Sequence, residues 1–325
     1  MSEIQMQHKV KRPSHITVGE FFENNRETLK MRLMNSEKGL ARKVLEPSVN
    51  RPGLALSGFL SYFAYKRVQV MGNSEVSYLN SLEPRVAQER FIKLCSWEIP
   101  CIVVAREKKL PQELLNIADE AGISVFQTSM VTMKFLNLAT IRLDWSFAPT
   151  TKIHGCLVDV QGVGVLITGE SGIGKSESVL GLLGRGASLV ADDSVQFRLI
   201  EEREIIGTAP EIGRSMIEVR GIGLLNVAAI FGVGAVRVSK RLDLVVKLVP
   251  NADLGELERF DAGAHFVNIL SKEIPVLQVP VVAGRDLAGL IEIAALNFKL
   301  RTFGYNSAVE FNQRLLKKMA DDQLG

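Results

Sequence analysis

The chain has 325 residues, 46% hydrophobic and 23% charged, a globular composition that excludes a mostly disordered protein and, at this length, suggests two domains. Lys and Arg number 39 against 36 Asp and Glu, so the net charge of +3 argues for neither a nucleic-acid nor a membrane-surface partner. Three cysteines, Cys95, Cys101 and Cys156, form no CxxC pair and leave one odd thiol, which suits a reducing cytosol and not a disulfide framework.

Residues 1–13 are polar and lack the apolar run of a secretory signal, so they are expected to form a solvated, frayed tail. Thr17-x-x-Glu20 offers a capping box for a first short helix, and Asn50-Arg51-Pro52-Gly53 is expected to be a turn. Beyond it the pattern predicts a strand over 67–71, a helix over 75–94, a strand over 101–105, a helix over 111–121 closed by Gly122, a strand over 123–127 and a helix over 129–144. Strand alternating with helix predicts a parallel sheet with right-handed crossovers, that is, an N-terminal α/β domain over 1–148. It contains no glycine fingerprint, acidic pair or metal-ligand spacing, so its residues do not spell out a function.

Pro149-Thr-Thr marks a linker, and a second domain is expected over 149–325. Residues 157–160, the pair Gln161-Gly162 and the apolar run from Val163 predict a hairpin. It leads into Gly169-Glu170-Ser171-Gly172-Ile173-Gly174-Lys175-Ser176, which fits G-x-x-x-x-G-K-[ST] at every fixed position. Strand before and helix after complete the context of a phosphate-binding loop. Its glycines let successive N–H groups turn toward phosphate oxygens at the positive end of a helix, Lys175 reaches the outer phosphates, and Ser176 ligates magnesium. A strand over 188–191 then ends in Asp192-Asp193, where a phosphate-loop protein places its acidic residue; one acid can hold magnesium through water while the other takes a proton.

The stretch 221–236 is the most apolar, but Asn226 and four glycines interrupt it and it is shorter than the roughly 20 residues of a spanning helix, so it is expected to be buried core. A helix over 285–301 gathers Leu287, Leu290, Ile291, Ala294, Ala295 and Phe298 on one face and closes near Gly304, and Ser307-x-x-Glu310 caps a last helix.

Seven stretches are distinctive: Asn50 to Gly53 with Leu54-x-Leu56-x-Gly58, His154-Gly155, LITGESGIGKSE from Leu166, LVADD from Leu189, IEVRGIGLLNV from Ile217, Glu258-Arg259 and IEIAALNFKLRTFGYNSA from Ile291. Through them, across nearly its whole length, the chain resembles the HPr kinase/phosphorylase family. The resemblance implies a bifunctional enzyme that phosphorylates a serine of the phosphocarrier protein HPr with ATP or pyrophosphate. It also removes that phosphate with inorganic phosphate to give pyrophosphate, and so regulates carbon metabolism. It further implies a cytoplasmic homohexamer, and a C-terminal domain like the nucleotide-binding core of phosphoenolpyruvate carboxykinases. By this resemblance His154, Lys175, Asp193 and Arg259 are active-site residues, with Asp193 handling the proton, and Ser176 and Glu218 bind magnesium. Residues 217–226 and 280–285 are tied to catalysis, the latter chiefly to dephosphorylation. Where many members read P-V-R-P-G-R, this chain has Val282 and Ala283, so a cation is missing; either phosphate capture is weaker, or the family's arginine there is solvated or meets a neighbouring subunit and nothing catalytic changes. Two other classes stay open from the residues alone. One is a phosphate-loop transferase acting on a small molecule. The other is a nucleotide-gated regulator, against which the presence of Asp193 counts.

Overall fold

The computed structural model describes residues 2–3, 9–250 and 265–305, together with positions 309–311, 313, 314, 316 and 319. The chain forms two compact units, Arg12–Pro149, and Thr150–Gly325 with Met1–Lys11.

In the unit Arg12–Pro149 the sheet order is Met31–Leu33, Ser124–Thr128, Cys101–Val104, Val68–Met71, Val49–Asn50. The last four strands are parallel, and Met31–Leu33 adds an antiparallel edge. The three central strands are buried at every residue, as expected when helices cover both faces. One core layer packs Met71, Ile102, Val104 and Val125 with Phe91, Leu94 and Leu114; the other packs Val70, Val103 and Phe126 with Phe135 and Phe21. The capping box forms: Glu20 N–H donates to Thr17 Oγ1 at 3.1 Å and Thr17 N–H to Glu20 Oε2 at 2.7 Å, opening the helix Val18–Asn25. The bond from the Thr17 backbone, followed by that from its side chain, lowers the Glu20 pKa.

Two expectations change here. The single helix over 75–94 is two, Asn73–Ser81 and Pro84–Cys95, because Pro84 has no N–H to donate and holds the preceding Glu83 at an extended ψ of 141°. The turn at Asn50–Gly53 is instead the exit of the strand Val49–Asn50 directly into the helix Gly53–Ser57.

In the other unit the seven-stranded sheet has the order Ser2–Glu3, His265–Ile269, Lys272–Val281, Leu244–Pro250, Val163–Thr168, Cys156–Val160, Ser188–Ala191. Period-2 alternation divides its side chains between two cores. Val158, Val165, Ile167, Val246 and Leu248 face the helices Lys175–Leu183 and Leu287–Thr302. Leu157, Leu166, Val245 and Val276 face a second, four-stranded sheet built from Ser239–Arg241, Glu204–Thr208, Ser194–Ile200 and Thr150–His154. The predicted hairpin is present: Cys156–Val160 pairs antiparallel with Val163–Thr168, and Gln161 and Gly162 both take positive φ, 49° and 92°, as a two-residue turn of the favoured hand requires.

Three further outcomes differ from or limit the sequence reading. The tail does not fray throughout: Lys11 and Thr150 exchange two backbone bonds of 2.8 Å, and Ser2–Glu3 pairs with His265–Phe266, so backbone groups at strand edges capture it without regard to its polar side chains. The 221–236 stretch is not core. Ile222, Leu224, Ile230 and Val233 are 70%, 64%, 56% and 87% exposed, because the ribbon Met216–Val219/Gly223–Asn226, the helix Val227–Phe231 and the 3-10 turn Val233–Ala235 present them outward and bury mainly Ile217, Val219, Val227 and Ala235. Leu287–Thr302 buries Ile291, Ala294 and Ala295 and half-buries Leu287, Leu290 and Phe298 on the predicted face, and buries Ala288 as well, whereas Ser307 lies outside the described residues.

Candidate active site

The phosphate loop leaves the sheet at Thr168 and enters its helix at Lys175. Gly174, at φ 105°, is the N-cap and offers the helix no side-chain acceptor. The Lys175 side chain is buried, and its ammonium group donates to Gly169 O at 3.0 Å and Glu170 O at 2.8 Å, which keeps its charge inside the loop. Gly172 carries φ 84°, and a Cβ there would stand 2.6 Å from Arg220 Nη1. Glycine is therefore what lets the Arg220 guanidinium lie against the loop. Arg220 carries no motif of its own in the sequence. Only its place inside IEVRGIGLLNV pointed to it.

Asp192 and Asp193 occupy the connection by which the chain passes from the seven-stranded to the four-stranded sheet, and the structure gives them separate environments. Asp193 adopts φ 62°, a left-handed conformation that aspartate tolerates better than most residues, and its carbonyl accepts from Gly155 N–H at 3.0 Å. Its Oδ1 lies 3.2 Å from His154 Nδ1, with both side chains more than half exposed. Strand register brings this pair together, since His154 lies opposite Ser194. Asp192 turns the other way. Its carboxylate accepts from the Glu218 N–H at 3.1 Å and the Cys156 thiol at 2.8 Å, and lies 3.4 and 3.5 Å from Ser176 Oγ. Burial first, then the Asp192 carboxylate beside it, raises the pKa of Cys156, so the thiol is the donor.

Lys175, Ser176, Asp192 and the backbone of Glu218 are thus brought to one place, with His154 and Asp193 joined through the adjacent residue. Glu218 has an exposed side chain. Among the described residues no group of three or more His, Cys, Asp or Glu side chains is placed to enclose a metal. The Ser176 hydroxyl with the Asp192 carboxylate is nevertheless the sparse, hard-oxygen donor set that suits magnesium, which keeps several waters and takes its remaining ligands from substrate phosphates. Val282 is 38% exposed and Arg285 is exposed, its N–H bonded to Val282 O at 3.1 Å. Arg259 and Glu258 lie outside the described residues.

Comparison with known families gives two adjoining matches. The HPr Serine kinase N terminus aligns with residues 16–143, and the HPr Serine kinase C-terminal domain with residues 145–315. The chain belongs to the HPr serine kinase family. It is therefore a phosphotransferase. The HPr kinase/phosphorylase of Halalkalibacterium halodurans is 40% identical over 289 residues, covering 89% of this chain and 93% of that protein. The HPr kinase/phosphorylase of Bacillus mycoides is 39% identical over 290 residues, covering 89% and 94%. Among solved structures, an Hpr(Ser) kinase/phosphatase from Coxiella burnetii shares 34% identity and covers 49% of this chain and 97% of its own, with a TM-score of 0.45. No helix among the described residues is long and apolar enough to cross a membrane.

Proposed function

We propose that this HPr serine kinase family member phosphorylates a serine of HPr with ATP or pyrophosphate, and removes that phosphate with inorganic phosphate to release pyrophosphate. On this reading it works as a cytoplasmic homohexamer that regulates carbon metabolism. The observation that carries the reading is the separation of the two neighbouring aspartates, Asp192 beside Ser176 and Asp193 beside His154.

Each residue then has one task. Gly169 to Ser176 cradle the nucleotide phosphates, while Lys175, Arg220 and Arg259 supply positive charge to the loose transition state. Ser176, Asp192 and Glu218 would hold magnesium, which when bound neutralises phosphate oxygens. In the kinase direction the seryl oxygen attacks the γ-phosphorus, the β–γ bridging P–O bond breaks, and the seryl proton passes to Asp193, whose carboxylate His154 orients. In the reverse direction an oxygen of inorganic phosphate attacks the phosphoserine phosphorus, the seryl C–O–P bond breaks at phosphorus, and the proton returns from Asp193 to the seryl oxygen. Arg285 remains for phosphate capture where Val282 replaces a cation, so phosphorolysis needs more inorganic phosphate than in members that keep both.

Incubating the protein with HPr, magnesium and γ-labelled ATP, then adding inorganic phosphate, tests the reading directly. Label should move to a serine of HPr and then appear in pyrophosphate. Transfer to small alcohols in preference to HPr would replace the reading with that of a small-molecule kinase.

A further inference from the structure

The Asp192 carboxylate is gripped from three separate segments, and one of the three donors has no part in the proposed mechanism. Cys156 Sγ stands 2.8 Å from Oδ1, closer than the Glu218 N–H at 3.1 Å or Ser176 Oγ at 3.4 and 3.5 Å. The thiol is 1% exposed. Its placement follows from the sheet. Cys156–Val160 pairs antiparallel with Ser188–Ala191, Leu157 lies opposite Ala191, and the register slips between Leu157 and Val158. The strand end carrying Cys156 thereby comes alongside the residue after Ala191, which is Asp192. On its other edge Cys156 is locked opposite Ile167, one residue from the end of the strand that feeds the phosphate loop.

A buried cysteine needs no polar partner, since it packs as a small hydrophobe with a weak S–H donor. Here the donor is nevertheless spent on a carboxylate that lies beside Ser176. Two side-chain torsions orient an aspartate, and a donor fixed in the central sheet restricts both. We infer that Cys156 is a positioning residue: its S–H holds Asp192 so that both carboxylate oxygens stay turned toward Ser176 and the end of the phosphate loop. The inference rests on the reading that Ser176 and Asp192 flank the magnesium of the bound nucleotide.

The test replaces Cys156 in the full chain by two residues that split packing from hydrogen bonding. Cys156→Val keeps an apolar side chain, slightly larger, and removes the donor, whereas Cys156→Ser keeps a donor and loses some volume. Binding of Mn²⁺ to the protein with a non-hydrolysable ATP analogue is followed by electron paramagnetic resonance. In parallel, kinase rates are measured across a range of magnesium concentrations. Cys156→Val should weaken Mn²⁺ binding about 3–10-fold, less than the roughly 10–100-fold of a full bond to a charged group because S–H is a weak donor. It should raise the half-saturating magnesium concentration by the same factor with kcat at saturation kept. Cys156→Ser should stay within about twofold of the unsubstituted protein, because O–H donates at least as well as S–H. Should valine fail to fold, Cys156→Ala makes the same comparison without added bulk. Unchanged Mn²⁺ affinity in the valine or alanine variant would overturn the proposal, as would equal losses in valine and serine variants, which mark packing alone. Asp192→Asn separates the proposal from its premise. If that variant binds Mn²⁺ normally, the premise and the proposal both fall; if it loses Mn²⁺ while Cys156→Val does not, only the role of Cys156 falls.

Discussion

In the unit Arg12–Pro149 the central parallel strand Val68–Met71 runs into Gly72 and the helix Asn73–Ser81; in the other, Val163–Thr168 runs into Gly169 and, after a longer turn, the helix Lys175–Leu183. The first helix start is filled from within. The Glu75 carboxylate reaches back to Gly72 N–H at 2.8 Å and takes two bonds from Arg51, at 3.1 and 2.9 Å, and it is 4% exposed. At the second start Gly174 provides no side-chain cap, and the one acid in the first turn, Glu177, is exposed. Cations face that turn instead, Lys175 from inside and Arg220 across Gly172. A helix N-terminus favours anions in both places; at the first the chain's own Glu75 carboxylate fills it, whereas at the second no side chain caps it and a phosphate can take that place. Strand, turn and helix together therefore do not make a site; uncommitted donors and added positive charge do.

The sharpest way to break this picture lies in the paired acids beside the open helix start. Asp193→Asn should lower kinase and phosphorolysis rates together by about 10²–10⁴, the usual worth of a proton-transfer group, with nucleotide binding largely kept. Extra magnesium should not restore it. Asp192→Asn should instead show a defect that high magnesium partly relieves. If Asp192→Asn were the more damaging at saturating magnesium, the assignment within the pair would be reversed. Somewhat smaller is the effect expected for the loop cation: Lys175→Ala should cost about 10²–10³ in both directions, because ATP and pyrophosphate present charge to the same ammonium group. Near-normal rates in that variant would remove the phosphate loop from the mechanism.

The legible parts were those where chemistry is local. The G-x-x-x-x-G-K-S spacing, the Gln161-Gly162 turn and the Thr17–Glu20 capping box depend on residues a few positions apart, and each forms as its pattern predicts. The break at Pro84 was equally local, but the apolar periodicity running across it concealed it. What could not be read depends on register between distant strands. Nothing in Asp192-Asp193 says that the first will meet Cys156 and Ser176 and the second His154, since that division follows from a slip in one ladder and the pairing of another. Apolar composition likewise says that 221–236 avoids water only on average, and not that a two-stranded ribbon holds Ile222 and Leu224 outward.

The filled helix start supplies the control, with the smallest expected effect on catalysis. Glu75→Gln keeps the shape but weakens the bonds from Arg51 and Gly72, and should lower stability by about 1–3 kcal/mol, toward the low end because Arg51 is partly exposed. Phosphoryl transfer should be little changed. The pH dependence gives a second readout. Burial pushes the Glu75 carboxyl up, yet the bonds from Arg51 and then from Gly72 outweigh it, so its folded pKa lies below the ordinary value of 4.5. A lowered carboxyl contributes stability above its unfolded pKa and loses it as pH falls through the folded one. The gap in Tm between the unsubstituted protein and Glu75→Gln should therefore be constant near neutrality and close as pH drops below 4.5. A gap that persists in acid would mean that shape and not charge fills this helix start. A collapse of phosphoryl transfer in a folded Glu75→Gln variant would break the comparison itself, because the closed N-terminus would then belong to the working machinery.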